Sequence, residues 1–167
     1  NMGSVMKDKG DFEGAIESYK QALRIKPDYA GAYNNMGNAL SSKGDFEGAI
    51  ESYKQALRIK PDFAGAYNNM ANAMKNKGDL EEAIESCKQA LKIKPDYADA
   101  YYNMANAMKD KGDLAEAIDS YKKALKIKPN YASAYYNMGN ALNEKGNPEA
   151  AIDGYKKAIK IKPNYAV

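Results

Sequence analysis

Five prolines, Pro27, Pro61, Pro95, Pro129 and Pro163, stand 34 residues apart in a chain of 167. No other feature limits the fold as tightly. Self-similarity at a fixed period of roughly 20–50 residues marks an array in which each repeat is one supersecondary unit. Five glycines keep the same period, each in a Lys-Gly-Asp or Lys-Gly-Asn step: Gly10, Gly44, Gly78, Gly112 and Gly146. Pro148 alone stands outside the proline series.

Each period reads as two helices. Ala32, Tyr33, Met36, Gly37, Ala39 and Leu40 recur at three- and four-residue spacings, which predicts the apolar face of a first helix. Gly44 is placed to close that helix in the left-handed conformation glycine tolerates, and Asp45 to cap a second one. Asp79 and Asp113 are followed three residues on by Glu82 and Glu116, the pattern of a capping box. Pro148 falls at a first helical position, where proline is accepted. The second helix is predicted to run to about Leu57 on Ala49, Ile50, Tyr53, Ala56 and Leu57, before Pro61 forbids its continuation. Glu51 with Lys54, and Glu85 with Lys88, form pairs three apart on its outer side. Arg58, Lys60, Lys92, Lys94, Lys126 and Lys128 sit where the helix dipole favours cations, and that role is preferred to contact with nucleic acid.

With Tyr33, Met36, Gly37, Ala49, Tyr53, Ala56 and Pro61 in register, the unit resembles a tetratricopeptide repeat. The resemblance covers the whole chain as a single array over 1–167: a truncated repeat at 1–29, full repeats at 30–63, 64–97, 98–131 and 132–165, and the start of a further helix at 166–167. It implies an all-α fold, an α-solenoid of stacked helix-turn-helix units in a right-handed superhelix. First helices would line a concave groove and second helices the convex side.

Composition excludes several activities. Without histidine, acid-base and nucleophilic catalysis lack their commonest participant. Cys87 has no partner thiol and occupies the column of Tyr53 and Tyr121, so it reads as an inert core residue rather than a nucleophile or zinc ligand. Every Lys-Gly-Asp step is a helix–helix turn, not a phosphate-binding loop. No enzymatic site, cofactor or metal is expected. No apolar run reaches the roughly 18 residues of a membrane span, and a lone cysteine suits a reducing, cytoplasmic setting. The chain opens at Asn1 rather than Met, and is read as a fragment whose native N-terminus is missing.

Binding is the function left. Asn35, Asn69, Asn103 and Asn137 lie three residues before Asn38, Asn72, Asn106 and Asn140, which puts each pair on one helix face. The apolar stripe lies elsewhere, and in the resembled family this face looks into the groove. A primary amide both donates and accepts hydrogen bonds and loses little rotamer freedom, so a ladder of them suits the backbone of an extended peptide. Beside it two columns vary: Asn34, Asn68, Tyr102, Tyr136, and Gly31, Gly65, Asp99, Ser133. Of these, Asn34, Asn68, Asp99, Tyr102 and Tyr136 join the amides as candidate peptide contacts, with the tyrosines setting preference. Counted over the groove columns, three lysines, Lys7, Lys75 and Lys109, stand against four acids, Asp8, Asp99, Asp110 and Glu144. The groove is therefore nearly neutral, and the formal +3 of the chain does not mark a nucleic-acid site, which needs a concentrated basic stripe.

Two functions are expected from this: a protein-interaction scaffold holding an extended segment of another protein, or the substrate-recruiting arm of a larger enzyme such as a glycosyltransferase. The second follows from the ladder's similarity to that of O-linked N-acetylglucosamine transferase. End-to-end self-association is also expected, because Ile152, Tyr155, Ala158 and Ile159 keep core spacing in the last complete helix, whereas repeat arrays normally finish with a polar cap.

Overall fold

The computed structural model describes residues 11–163. Lys7, Asp8 and Gly10, most of the region read as a truncated repeat before α1, and residues 166–167 lie outside the described residues. Among the described residues every regular element is a helix: α1 (Phe12–Ile25), α2 (Ala30–Lys43), α3 (Phe46–Ile59), α4 (Ala64–Lys77), α5 (Leu80–Ile93), α6 (Ala98–Lys111), α7 (Leu114–Ile127), α8 (Ala132–Glu144) and α9 (Pro148–Ile161). They belong to two compact units, Asn1–Ile93 with α1 to α5 and Lys94–Val167 with α6 to α9. Within each unit the fold is one of stacked helix pairs, each first helix packed on the second helix that follows it.

The turns are written in the local sequence. Gly44 adopts φ 88°, a conformation that costs a residue with a Cβ about 1 kcal/mol or more. That geometry lets the Asp45 N–H donate to the Leu40 carbonyl at 3.0 Å, closing α2 with the crossed bonds of a glycine C-cap. Asp45 then accepts from the Gly48 N–H through Oδ1 at 2.9 Å and starts α3. Asn147 does the same for α9, accepting from the Ala150 N–H at 3.2 Å with Pro148 next to it.

Two expectations are corrected here. Asp113 makes no side-chain cap bond to α7; its carboxylate meets Lys111 Nζ at 3.1 Å, and Asp79 meets Lys77 Nζ at 2.9 Å. A charged partner two residues back competes with the backbone amide, because charge-assisted hydrogen bonds are the stronger kind. Second, α3 runs on to Ile59 rather than ending near Leu57. The block comes from Pro61, whose ring restricts only its immediate predecessor Lys60, and the Lys60 N–H still reaches the Ala56 carbonyl at 2.9 Å.

Alanine lets the helices approach. Ala49, Ala56, Ala66 and Ala73 in the first unit, and Ala117, Ala124, Ala134 and Ala141 in the second, are wholly buried. The space between them is filled by few large side chains, Tyr53 and Tyr121 above all. In α9, Ala158 is buried while Ile152 and Ile159 are 49% and 52% exposed, so only part of the expected apolar stripe faces solvent.

Candidate functional site

The asparagine ladder is tied to the core by tyrosine. In the first unit Tyr53 Oη, from α3, donates to Asn38 Oδ1 on α2 at 2.8 Å. In the second, Tyr121 Oη donates to Asn106 Oδ1 at 2.6 Å and Tyr155 Oη to Asn140 Oδ1 at 2.9 Å. Each pair lies 15 residues apart, and each tyrosine belongs to the column that the sequence marks as core. Burial raises the pKa of Tyr53, Tyr121 and Tyr155 above the ordinary phenol value, because the site disfavours a phenolate. The hydroxyls therefore act as fixed donors.

A second set of bonds joins successive first helices within a unit. Asn69 Nδ2 donates to Asn34 Oδ1 at 3.1 Å, and within α2 Asn34 Nδ2 donates to its neighbour Asn35 Oδ1 at 3.4 Å. In the second unit Asn137 Nδ2 donates to Tyr102 Oη at 2.9 Å and to Asn106 Oδ1 at 3.0 Å. An amide offers two N–H donors and a carbonyl with two acceptor sites, so Asn69 keeps an N–H and its carbonyl beyond the bond to Asn34. Asn38, Asn69, Asn106, Asn137 and Asn140 are thus each held by at least one internal bond while keeping further hydrogen-bonding capacity.

The neighbouring columns divide. Asn34 and Asn35 are half-buried, Asn68 is buried, and Asn103 is half-buried. Tyr102 packs its ring at 4.9 Å from that of Tyr131 and 6.1 Å from that of Tyr121. Tyr136 packs at 5.6 Å from Tyr155. Both tyrosines stay partly accessible. Asp99 lies 3.7 Å from Lys128, and Lys109 3.0 Å from Asp110, so charges on this face of the second unit are balanced locally. In the first unit a polar depression of about 150 Å³ opens between α2 and α4, lined by Asn38, Ser41, Ser42, Tyr53, Asn69 and Asn72.

The lysines after the second helices have partners that the dipole reading missed. Lys60 Nζ lies 5.5 Å from the Phe63 ring, Lys94 5.2 Å from Tyr97 and Lys128 4.1 Å from Tyr131. These are cation–π distances. The signal was present as an aromatic three residues after each lysine, in the Lys-Pro-Asp/Asn-Tyr/Phe step. Cys87 is fully buried, and desolvation pushes its thiol up to about 12; a thiol so rarely ionised is a poor nucleophile. Among the described residues no three His, Cys, Asp or Glu side chains are grouped to hold a metal, and no helix is long and apolar enough to cross a membrane.

Comparison with known proteins agrees with this architecture. A sequence model of the TPR repeat matches residues 3–44, 37–78, 75–112 and 105–146, and a tetratricopeptide repeat model matches 132–165. The crystal structure of MamA superposes with a TM-score of 0.84 at 31% identity over 98% of this chain and 95% of that one. YrrB, described as a TPR protein with an unusual peptide-binding site, gives 0.75 at 23% identity, covering 98% and 84%. PilF of Pseudomonas aeruginosa gives 0.86 at 21%, covering 95% and 72%. No curated protein matches the sequence.

Proposed function

Because this chain belongs to the tetratricopeptide repeat family, we propose that it is a non-catalytic interaction module in which each unit holds an extended segment of a partner protein along the asparagine face of its own first helices. Repeats 30–63, 64–97, 98–131 and 132–165 are its units of recognition. At 23% identity YrrB shares only the fold, so the reading rests on the face itself. The observation that carries it is the half-engaged ladder: Asn38, Asn106 and Asn140 are oriented by tyrosine hydroxyls, yet each amide keeps N–H groups for a ligand. Preorganised groups lose less freedom on binding. A peptide backbone, which alternates donors and acceptors regardless of sequence, is the ligand such a row fits. Asn35, Asn69, Asn103 and Asn137 supply the second rail, and Tyr102 and Tyr136 offer ring edges for side-chain preference.

A peptide array probed with the wild-type chain, an Asn69→Ala/Asn103→Ala variant and a Lys88→Ala control on the other helix set tests this. The double variant is expected to weaken diverse peptides alike, and the control to bind as wild type. Undiminished binding by the double variant, or loss confined to the control, overturns it.

A further inference from the structure

One rung of the ladder is unlike the others. Asn38, Asn106 and Asn140 each accept a hydrogen bond from a tyrosine 15 residues on. The residue 15 after Asn72 is Cys87. Among the described residues Asn72 makes no side-chain hydrogen bond, and it is exposed where Asn38, Asn106 and Asn140 are half-buried. It also borders the polar depression of about 150 Å³ shared with Asn38, Ser41, Ser42, Tyr53 and Asn69. At about 30 Å³ for each water in the liquid, that volume holds several waters or a peptide group that displaces them.

The residues beneath this rung differ as well. Gly37 and Gly139 lie against Tyr53 and Tyr155 so closely that a Cβ on either would come within 2.6 Å of the ring. The fourth helix has Ala71 at that position, and the residue in the tyrosine column is the smaller Cys87, fully buried. This level of the core therefore holds no tyrosine hydroxyl for Asn72 to accept from.

We infer that the cysteine at position 87 frees Asn72 to present its whole amide, both N–H groups and the carbonyl, at the Asn38–Asn72 depression, making this rung the strongest single subsite for a partner's backbone peptide group. The inference rests on the proposed groove reading and adds which rung dominates and why. A peptide group has one donor and one acceptor side by side, and a free primary amide can satisfy both at once. At Asn38 and Asn140 one of the two carbonyl acceptor sites is already engaged, and at Asn106 both are.

The test uses the full chain labelled with 15N and a sequence-neutral probe, N-acetyl-tetraglycine amide, followed through the asparagine side-chain resonances. In the wild type the Asn72 amide is expected to shift further than those of Asn38, Asn106 and Asn140. Cys87→Tyr, which supplies the missing hydroxyl, is expected to reduce that shift and weaken the probe about fivefold, the worth of one ordinary hydrogen bond. The tyrosine has room: Ala105 already coexists with the fully buried Tyr121. Should the single variant misfold, Ala71→Gly/Cys87→Tyr reproduces the Gly37 and Tyr53 pair, and the wild-type comparison decides independently of either. Shifts at Asn38, Asn69 or Asn106 that leave Asn72 unmoved overturn the inference while the groove reading stands. Silence of every ladder amide overturns both.

Discussion

The Tyr53 ring occupies the space that a side chain on Gly37 would need: a Cβ there would stand 2.6 Å from Cε1. The same aromatic ring holds Asn38 through its hydroxyl. One residue thus couples helix spacing to the orientation of the candidate binding face, and a change at Gly37 should be felt at both. Ala105 beside Tyr121 shows that the ring can shift to admit a methyl at this column, so Gly37→Ala is expected to destabilise the chain by about 1 kcal/mol, the low end of overpacking, partly offset by the better helix propensity of alanine. Combining it with Tyr53→Cys, which copies the Ala71 and Cys87 pair, should recover part of that loss. Urea melts of the single and double variants close the cycle; strictly additive losses would show that the ring and the glycine are not in contact.

Alkaline pH should unfold the protein through its buried tyrosines. Desolvation raises the Tyr53 and Tyr121 pKa values in the folded state, whereas an unfolded tyrosine ionises near 10. Below that pH both states hold the proton and the stability is complete. Above it the unfolded chain sheds protons that the folded chain retains, so stability falls as pH rises toward the folded values. Cys87, held at about 12, adds to the same trend. Urea midpoints at pH 8, 10 and 11 should decline, and Tyr53→Phe should flatten the decline; a midpoint independent of pH up to 11 would refute the assignment.

Core columns and helix ends should differ sharply in sensitivity. Ala83 and Ala117 are 1% and 0% exposed, so Ala83→Leu or Ala117→Leu forces two close helices apart, at about 1–3 kcal/mol. Lys92 is exposed near the end of α5, and Lys92→Ala removes an end charge worth roughly 1 kcal/mol or less. Thermal melts compare them directly. Equal losses would mean that the alanine columns do not separate the helices.

Self-association is expected through α9. Ile152 and Ile159 are about half exposed, and two isoleucines one face apart on an otherwise charged helix favour burial by contact, at about 25 cal/mol for each Å² removed from water. Sedimentation velocity over a range of concentrations should show weak association that Ile152→Glu/Ile159→Glu removes. A strict monomer at the highest concentration rules this out.

The parts of this protein legible in its sequence are those decided within a few residues of themselves. Gly44, Asp45 and Pro61 mark turn, start and stop because φ preference, capping and a missing N–H are properties of single residues and their immediate neighbours. Repetition at 34 residues then multiplies each local decision along the chain, which is why the helix pairs and the alanine columns could be read off. Even so, Asp113 shows the limit: its neighbour Lys111 took the carboxylate, a contest between two local partners that spacing alone does not score.

Only the tertiary structure decided how the asparagines are used. Asn38 and Tyr53 stand 15 residues apart, and Asn69 and Asn34 stand 35 apart; whether their atoms meet depends on how closely α2 packs against α3 and α4. Periodicity put the amides on one face but treated the tyrosine column as core and nothing more. Packing gave those tyrosines a second task, because a buried hydroxyl must find a partner and the nearest one is the ladder. The cysteine at position 87 looked in sequence like an inert substitution within the core. Its consequence for Asn72 appears only when the three tyrosine–asparagine bonds are seen together, since a missing hydrogen bond is defined by the geometry of the ones that form.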